Sequence, residues 1–251
     1  MSLPPTVPPP LGNEAVDYVT AAAKATLSAV PFVGSALAEF AGAVIPNQRI
    51  DRVAAFAVRL EQRLSQVQQQ LLKQAMATPE FGDVIEESMR QAAGSLSDGR
   101  RVYLAALVEN ALDAERVSAI DARHLLRLLG QINDVEVIVL RSHLVQTLNG
   151  DDEFRERHAS VVNPVPVMLN SDQATIDRGA LWEGYRHHLT QLGLLEERLQ
   201  VDRKTKQPVF EPAQGRYGVA GHELSSLGRL LLRMIGLSTD GFDTTDRVSA
   251  L

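Results

Sequence analysis

Between positions 50 and 71 the apolar residues Ile50, Val53, Ala57, Leu60, Leu64, Val67 and Leu71 recur at steps of three and four. That spacing lines them along one stripe of an α-helix, and so long a stripe has to be covered by other helices or by a second chain. The remaining faces carry Arg, Glu and Gln. The reading predicts one long helix capped at Asn47, with Leu60 and Leu64 in a helix-association seam. Packing inside a bundle satisfies that seam, and a coiled-coil dimer is the alternative.

The same logic repeats downstream. Thr78, Pro79 and Glu80 form a helix start, with cap, fixed φ and a negative charge at the positive end of the helix dipole. Phe81, Val84, Ile85, Ser88, Met89 and Ala92 share its inner face. Ser97 and Asp98 start a further helix carrying Leu104, Leu107, Val108, Ala111 and Leu112. Asp121 is expected to start the next, with Leu125, Leu128 and Leu129 inward. Asn133 and Glu136 have the spacing of a capping box. The run "VEVIVLR" that follows is β-branched enough for a strand, but the capping box and its length favour a helix up to Leu148. Aromatic residues are only 5% of the chain, so the core has to rest on Leu, Val, Ile and Ala.

Residues 149–174 break the periodicity with turn residues and spaced prolines, which marks a boundary. Beyond it, Leu181, Tyr185, Leu189 and Leu192 predict a helix ending at Gly193. "ERLQVD" and "PVFEP" flank the polar turn "RKTKQ" as a candidate hairpin. "RYGVAG" adds further strand pairing, and "HELSSLGRLLLRMIG" reads as a last helix. The resulting division is a Pro-rich arm over 1–12, a helical bundle over 13–149, a linker over 150–174, a small α+β module over 175–236 and a polar tail over 237–251.

The N-terminal part of the bundle raises a separate question. Ala25 to Ala38 is a run of fourteen residues without a charge. As a helix it would span about 21 Å, short of the roughly 30 Å hydrocarbon core of a bilayer. Gly34, Ala38 and Gly42 recur at steps of four, a small-residue seam that lets helix backbones approach closely. A buried helix is the first expectation. An apolar hairpin over 25–45 that engages a membrane is the second.

Charge and composition narrow the function classes. Without cysteine there is no disulfide framework, thiolate metal site or cysteine nucleophile, and a reducing, cytoplasmic setting fits, with membrane association as the alternative. The first ten residues hold five prolines and no Lys or Arg, so a secretory signal is not expected. The net charge is -6, yet residues 176–236 carry nine Lys or Arg against seven Asp or Glu. That permits an anionic partner for the C-terminal module through Arg178, Arg186, Arg203, Lys204 and Lys206. Glu183, Glu196 and Glu197 lie in the same neighbourhood and would oppose a nucleic acid there.

No chemistry-bearing motif emerges. There is no Gly-rich phosphate loop followed by Lys and no Gly-x-Gly-x-x-Gly. "HELSS" starts like a zinc-protease helix but has Ser226 where a second His is needed. His187 and His188 are adjacent, so on a helix they point about 100° apart and cannot chelate one metal together. "DGFDTTD" lacks the alternating oxygen ligands of a calcium loop. The chain is therefore expected to have no catalytic residues, no cofactor and no metal.

Two resemblances add to this reading. "LTQLGLLEERLQVDRKTKQPVF" followed by "RYGVAGHELSSLGRLLLRMI" resembles the end of a winged-helix domain, in which helix, wing hairpin and closing helix follow in order. The stretch from "PFVGSALAEFAGAVIPNQRIDR" to "DVEVIVLRSHL" is similar in layout to bacterial proteins of the abortive-infection, phage-defence type. The fold expected is mainly α, a multi-helix bundle followed by a small winged-helix-like α+β module. The function expected is that of a non-enzymatic interaction or effector protein of phage defence, acting through helix association with itself or another protein. The alternatives are a membrane-perturbing effector that uses 25–45 and a DNA-binding regulator that uses the winged helix.

Overall fold

A computed structural model of the chain describes residues 49–65, 67, 69–112, 117–144, 151–163, 167–212 and 215–238. The arm, the segment 25–45 with Gly34, Ala38 and Gly42, and most of the polar tail lie outside the described residues. The protein is mainly helical, with a small strand-containing region near its C-terminus. The described residues fall into two compact units divided after Arg123.

The first unit holds α1 (Ile50–Leu64), α2 (Gln69–Met76), α3 (Pro79–Gly94), α4 (Asp98–Asn110) and the first turn of α5 (Ala119–Gln131). Helix α1 packs against α4 and α3, and α3 packs in turn against α4 and α2. Val53, Phe56, Ala57, Leu60 and Leu64 of α1 have no exposed surface, so the predicted seam residues Leu60 and Leu64 are covered within the chain. Charge reinforces the α1–α4 contact at its margin. Arg59 pairs with Asp98, and Arg63 Nη1 lies 2.5 Å from Glu109 Oε2. The Arg59 guanidinium, helped by Arg101, holds the Asp98 carboxyl below the usual carboxylate range.

The long helix expected through Leu71 is two helices. Helix α1 closes at Ser65, whose N–H donates to Glu61 O, and α2 starts at Gln69. The stripe changes phase at the break. Leu71, which an unbroken helix would bury, is 39% exposed, whereas Leu72 is 2% exposed. The polar run "SQVQQQ" gives the intervening turn no apolar side chain larger than Val67, so little burial opposes the break.

Most helix starts form as the sequence dictates. The Thr78 hydroxyl accepts from Phe81 N–H with Pro79 at the first helical position, and the Ser97 hydroxyl accepts from Arg100 N–H. The start of α5 differs. Ser118, not Asp121, is the capping residue: its hydroxyl accepts from Asp121 N–H and donates to the Asp121 carboxylate at 2.6 Å.

The second unit contains the rest of α5, then α6 (Asp134–Ser142), α7 (Asp152–Arg157), α8 (Ala159–Val162), α9 (Gln173–Gln191) and α10 (Ser226–Met234). Its strands are β1 (Leu195–Leu199), β2 (Phe210–Glu211), β3 (Arg216–Tyr217) and β4 (Val219–Leu224). The β-branched run is helical, because both bonds of the Asn133–Glu136 capping box form. The expected linker 150–174 is not structureless, since α7 and α8 occupy part of it. Helix α8 packs on α6, and Arg141 of α6 pairs with Asp151 and lies 4.8 Å from the Phe154 ring centre.

Helix α9 ends as predicted at Gly193, at φ 70°. The closure is a Schellman motif: Gly193 N–H donates to Thr190 O, Leu194 N–H to Leu189 O, and Leu189 and Leu194 are both buried. The expected hairpin forms around its turn: Asp202 N–H donates to Gln207 O, Val209 N–H donates to Gln200 O, and Val201 bridges to Pro208. Strand β1 pairs antiparallel with β4, from Leu195 opposite Leu224 to Leu199 opposite Val219, with a register shift after Arg198. Beyond the hairpin, β2 pairs antiparallel with β3. Pro208 has no N–H to donate, which keeps the ladder between the hairpin arms short. The buried Leu195–Leu224 pair anchors β1 on β4.

The turn 193–194 also seats α10. The Ser225 hydroxyl donates to Gly193 O at 2.6 Å and accepts from Gly228 N–H at 2.9 Å. A Cβ on Gly228 would stand 2.3 Å from Leu194 O, whereas one on Gly184 in α9 would meet nothing within 4 Å. Gly228→Ala should therefore lower stability by about 1–3 kcal/mol through overpacking. Gly184→Ala should leave it unchanged or raise it by up to about 1 kcal/mol. Urea unfolding of the two variants measures the contrast, and equal effects would refute the close-approach argument.

Candidate functional site

The C-terminal ribbon and the helix before it hold every position singled out for an anionic partner. Asp202 shapes the hairpin tip. Its carboxylate accepts from the N–H groups of Lys204 and Thr205 at 2.8 and 2.7 Å, and its carbonyl accepts from Lys206 N–H. Those N–H bonds hold the Asp202 carboxyl below its ordinary range. Lys206 takes a left-handed conformation, φ 57°, to close the turn. The result is a fixed tip with Arg203, Lys204 and Lys206 all exposed.

Below the tip, Phe210 pairs across the strands with Tyr217, edge to face at 5.5 Å between ring centres. Both rings are half in solvent, at 52% and 51% exposure. Leu199 and Val201 are exposed on the same ribbon. This apolar group was not singled out in the sequence, where "PVFEP" and "RYG" read only as strand material.

The helix arginines do not join the tip. Arg178 donates to Thr175 Oγ1 at 3.0 Å and lines an apolar cleft of ≈ 170 Å³ with Val135, Val161, Trp182 and Tyr185. Arg186 sits in a separate groove of ≈ 370 Å³, lined also by Glu183, His187, Glu197, Arg216 and His222. Its guanidinium stacks on Trp182 at 4.1 Å and donates to Glu183 Oε2 at 2.6 Å. The five cations proposed for an anionic partner thus divide among three places.

The adjacent histidines diverge as their spacing requires. His187 Nε2 lies 2.9 Å from Gln191 Nε2, and His188 Nδ1 lies 2.6 Å from Glu136 Oε1. Glu136 is 3% exposed and uses both oxygens, since Oε2 accepts the N–H of Asn133 in the capping box. Among the described residues no group of three or more His, Asp or Glu is placed to hold a metal ion.

Because one buried carboxylate both caps α6 and ties α9 to it, its loss should be felt across the unit. Glu136→Gln keeps the volume but not the charge, and should lower stability by about 1–3 kcal/mol. A double-mutant cycle with His188→Gln should show a coupling of at least about 0.5 kcal/mol in urea unfolding followed by Trp182 fluorescence. Additive losses would mean that the pair contributes nothing as a pair.

No protein-family model matches this chain, and no curated protein and no solved structure matches it.

Proposed function

We propose that this chain is a non-enzymatic interaction protein whose C-terminal ribbon binds a protein surface with an apolar centre and an acidic rim. One observation carries the reading: Leu199, Val201, Phe210 and Tyr217 stand exposed together on a narrow ribbon that ends in three exposed cations. Large apolar side chains grouped on a surface mark association sites, and exposed charges around them select the partner. The order of α9, ribbon and α10 supports the likeness to the end of a winged-helix domain, a fold that serves protein binding as well as DNA binding. The setting we propose, bacterial phage defence, rests on the resemblance in layout and short sequence strings.

The exposed tip of Arg203, Lys204 and Lys206 also favours a second reading, contact with nucleic-acid phosphates. Against it, Arg178 and Arg186 are each engaged by neighbouring side chains on α9 and do not extend the tip into a wider basic surface.

A photo-crosslinking side chain at Tyr217, in the full chain and in the producing cell, separates the two. The expected result is a discrete protein adduct that is lost with Phe210→Ser and weakened with Lys204→Glu, while thermal unfolding of both variants stays within about 0.5 kcal/mol of wild type. Crosslinking to nucleic acid, with a shift of labelled DNA at low salt, would replace the reading with the second. Absence of any adduct would refute it.

A further inference from the structure

The apolar cleft beside α9 is built by three elements of the second unit. Val135 comes from the first turn of α6, Val161 from α8, and Leu181, Trp182 and Tyr185 from α9. Helices α8 and α9 both pack on α6, and Trp182 Nε1–H donates to Val161 O at 3.1 Å, which ties α9 directly to α8. The indole is held from a second direction by the Arg186 guanidinium, 4.1 Å from its ring centre. Walls fixed in this way stand ready before any ligand arrives, so little ordering cost is left to binding.

Size and lining chemistry narrow the occupant. The volume, ≈ 170 Å³, is close to that of a dry apolar cavity of about 150 Å³ that takes up benzene, so the cleft has room for one ring. Two of its walls are themselves aromatic and suit edge or offset contact with such a ring. Among the described residues that line the cleft, Arg178 is the one charged side chain, and none is acidic.

Arg178 is exposed, which puts its charge at the mouth. Its Nη2 donates to Thr175 Oγ1 at 3.0 Å, a neutral acceptor that leaves the guanidinium charge unpaired. A guanidinium has five N–H donors, and those remaining suit a carboxylate. Asp172 attracts the same group from the start of α9, but its carboxylate is occupied by the Thr175 N–H at 2.8 Å. Arg186, one element of the same helix further on, is by contrast already bonded to Glu183.

We propose that this cleft binds a small monocarboxylate that carries a single aromatic ring. The ring lies among Val135, Val161, Leu181, Trp182 and Tyr185, and the carboxylate meets Arg178. Both parts are required. A carboxylate alone would leave five large apolar or aromatic side chains in water, and a ring alone would leave the cation at the mouth unanswered. The cleft shares no residue with the ribbon, so the site stands whether or not the ribbon binds a protein.

Trp182 is the one tryptophan and reports on the cleft in the full chain. Phenylacetate titrated at neutral pH should change its emission and saturate with a Kd between about 10 μM and 1 mM, the range open to about ten non-hydrogen atoms. Phenylacetamide has the ring without the charge, and acetate the charge without the ring. Each should bind about fivefold more weakly or worse. Arg178→Met, at an exposed position, should fold normally, weaken phenylacetate about fivefold or more and leave phenylacetamide unchanged. Val135→Phe should fill the cleft and abolish binding of both ring compounds; where that variant does not fold, Arg178→Met decides the matter. The proposal is overturned by no saturable change up to about 10 mM phenylacetate, or by phenylacetamide binding as tightly as phenylacetate. Unchanged binding in Arg178→Met, or in a folded Val135→Phe, overturns it equally.

Discussion

Glu136 is a carboxylate buried to 3% exposure with both oxygens engaged. One oxygen accepts the N–H of Asn133 and ends the first turn of α6. The other accepts from His188, 52 positions later, and places α9 against α6. A buried charge is costly unless it is paired and hydrogen-bonded, and here both conditions are met by different elements. The second unit is organised around that requirement. With α9 set by His188, its C-terminal Schellman turn sets Leu194, and Leu194 O in turn receives Ser225 and the glycine face of α10. Helix, ribbon and closing helix are thus linked through one acid, one turn and one glycine.

The first unit is held differently. Its α1 stripe is apolar and continuous from Val53 to Leu64, and its ion pairs to α4 lie at the edge. Burial of Leu and Phe side chains is non-directional, worth about 1.5–3 kcal/mol for each fully buried side chain. Exposed pairs such as Arg59–Asp98 add little to that and orient the helices more than they stabilise them. Both units bury an apolar core, and the second adds to it the buried polar contacts of Glu136 and Ser225.

The surface of the second unit also distributes its charge in a way that bears on partners. The tip of the ribbon is basic because the one acid there, Asp202, is turned inward to its own backbone. The aromatic pair below it is exposed because the ribbon is narrow and, among the described residues, no helix covers that part of β2 and β3. The protein partner we propose rests on this apolar patch bordered by cations, since a duplex would need the α9 arginines to continue the basic surface.

How much of this was legible beforehand depends on the range of each interaction. The sequence alone determined the helix starts at Thr78, Ser97 and Asn133, the end of α9 at Gly193, and the choice of helix over strand for the β-branched run. In each case the cap and the group it satisfies are within five residues, so local spacing contains the answer. The apolar faces of α3 and α4 were legible for the same reason. The tertiary structure decided where the long stripe breaks, because the phase change from Leu71 to Leu72 is set by what α2 packs against. It decided that β1 joins β4 ahead of the hairpin, since that pairing depends on buried ends 29 positions apart in Leu195 and Leu224. It also divided the five candidate cations among three places and brought Glu136 to His188. Contacts between elements leave no periodic mark in either one, so the chemistry of the site had to come from the fold.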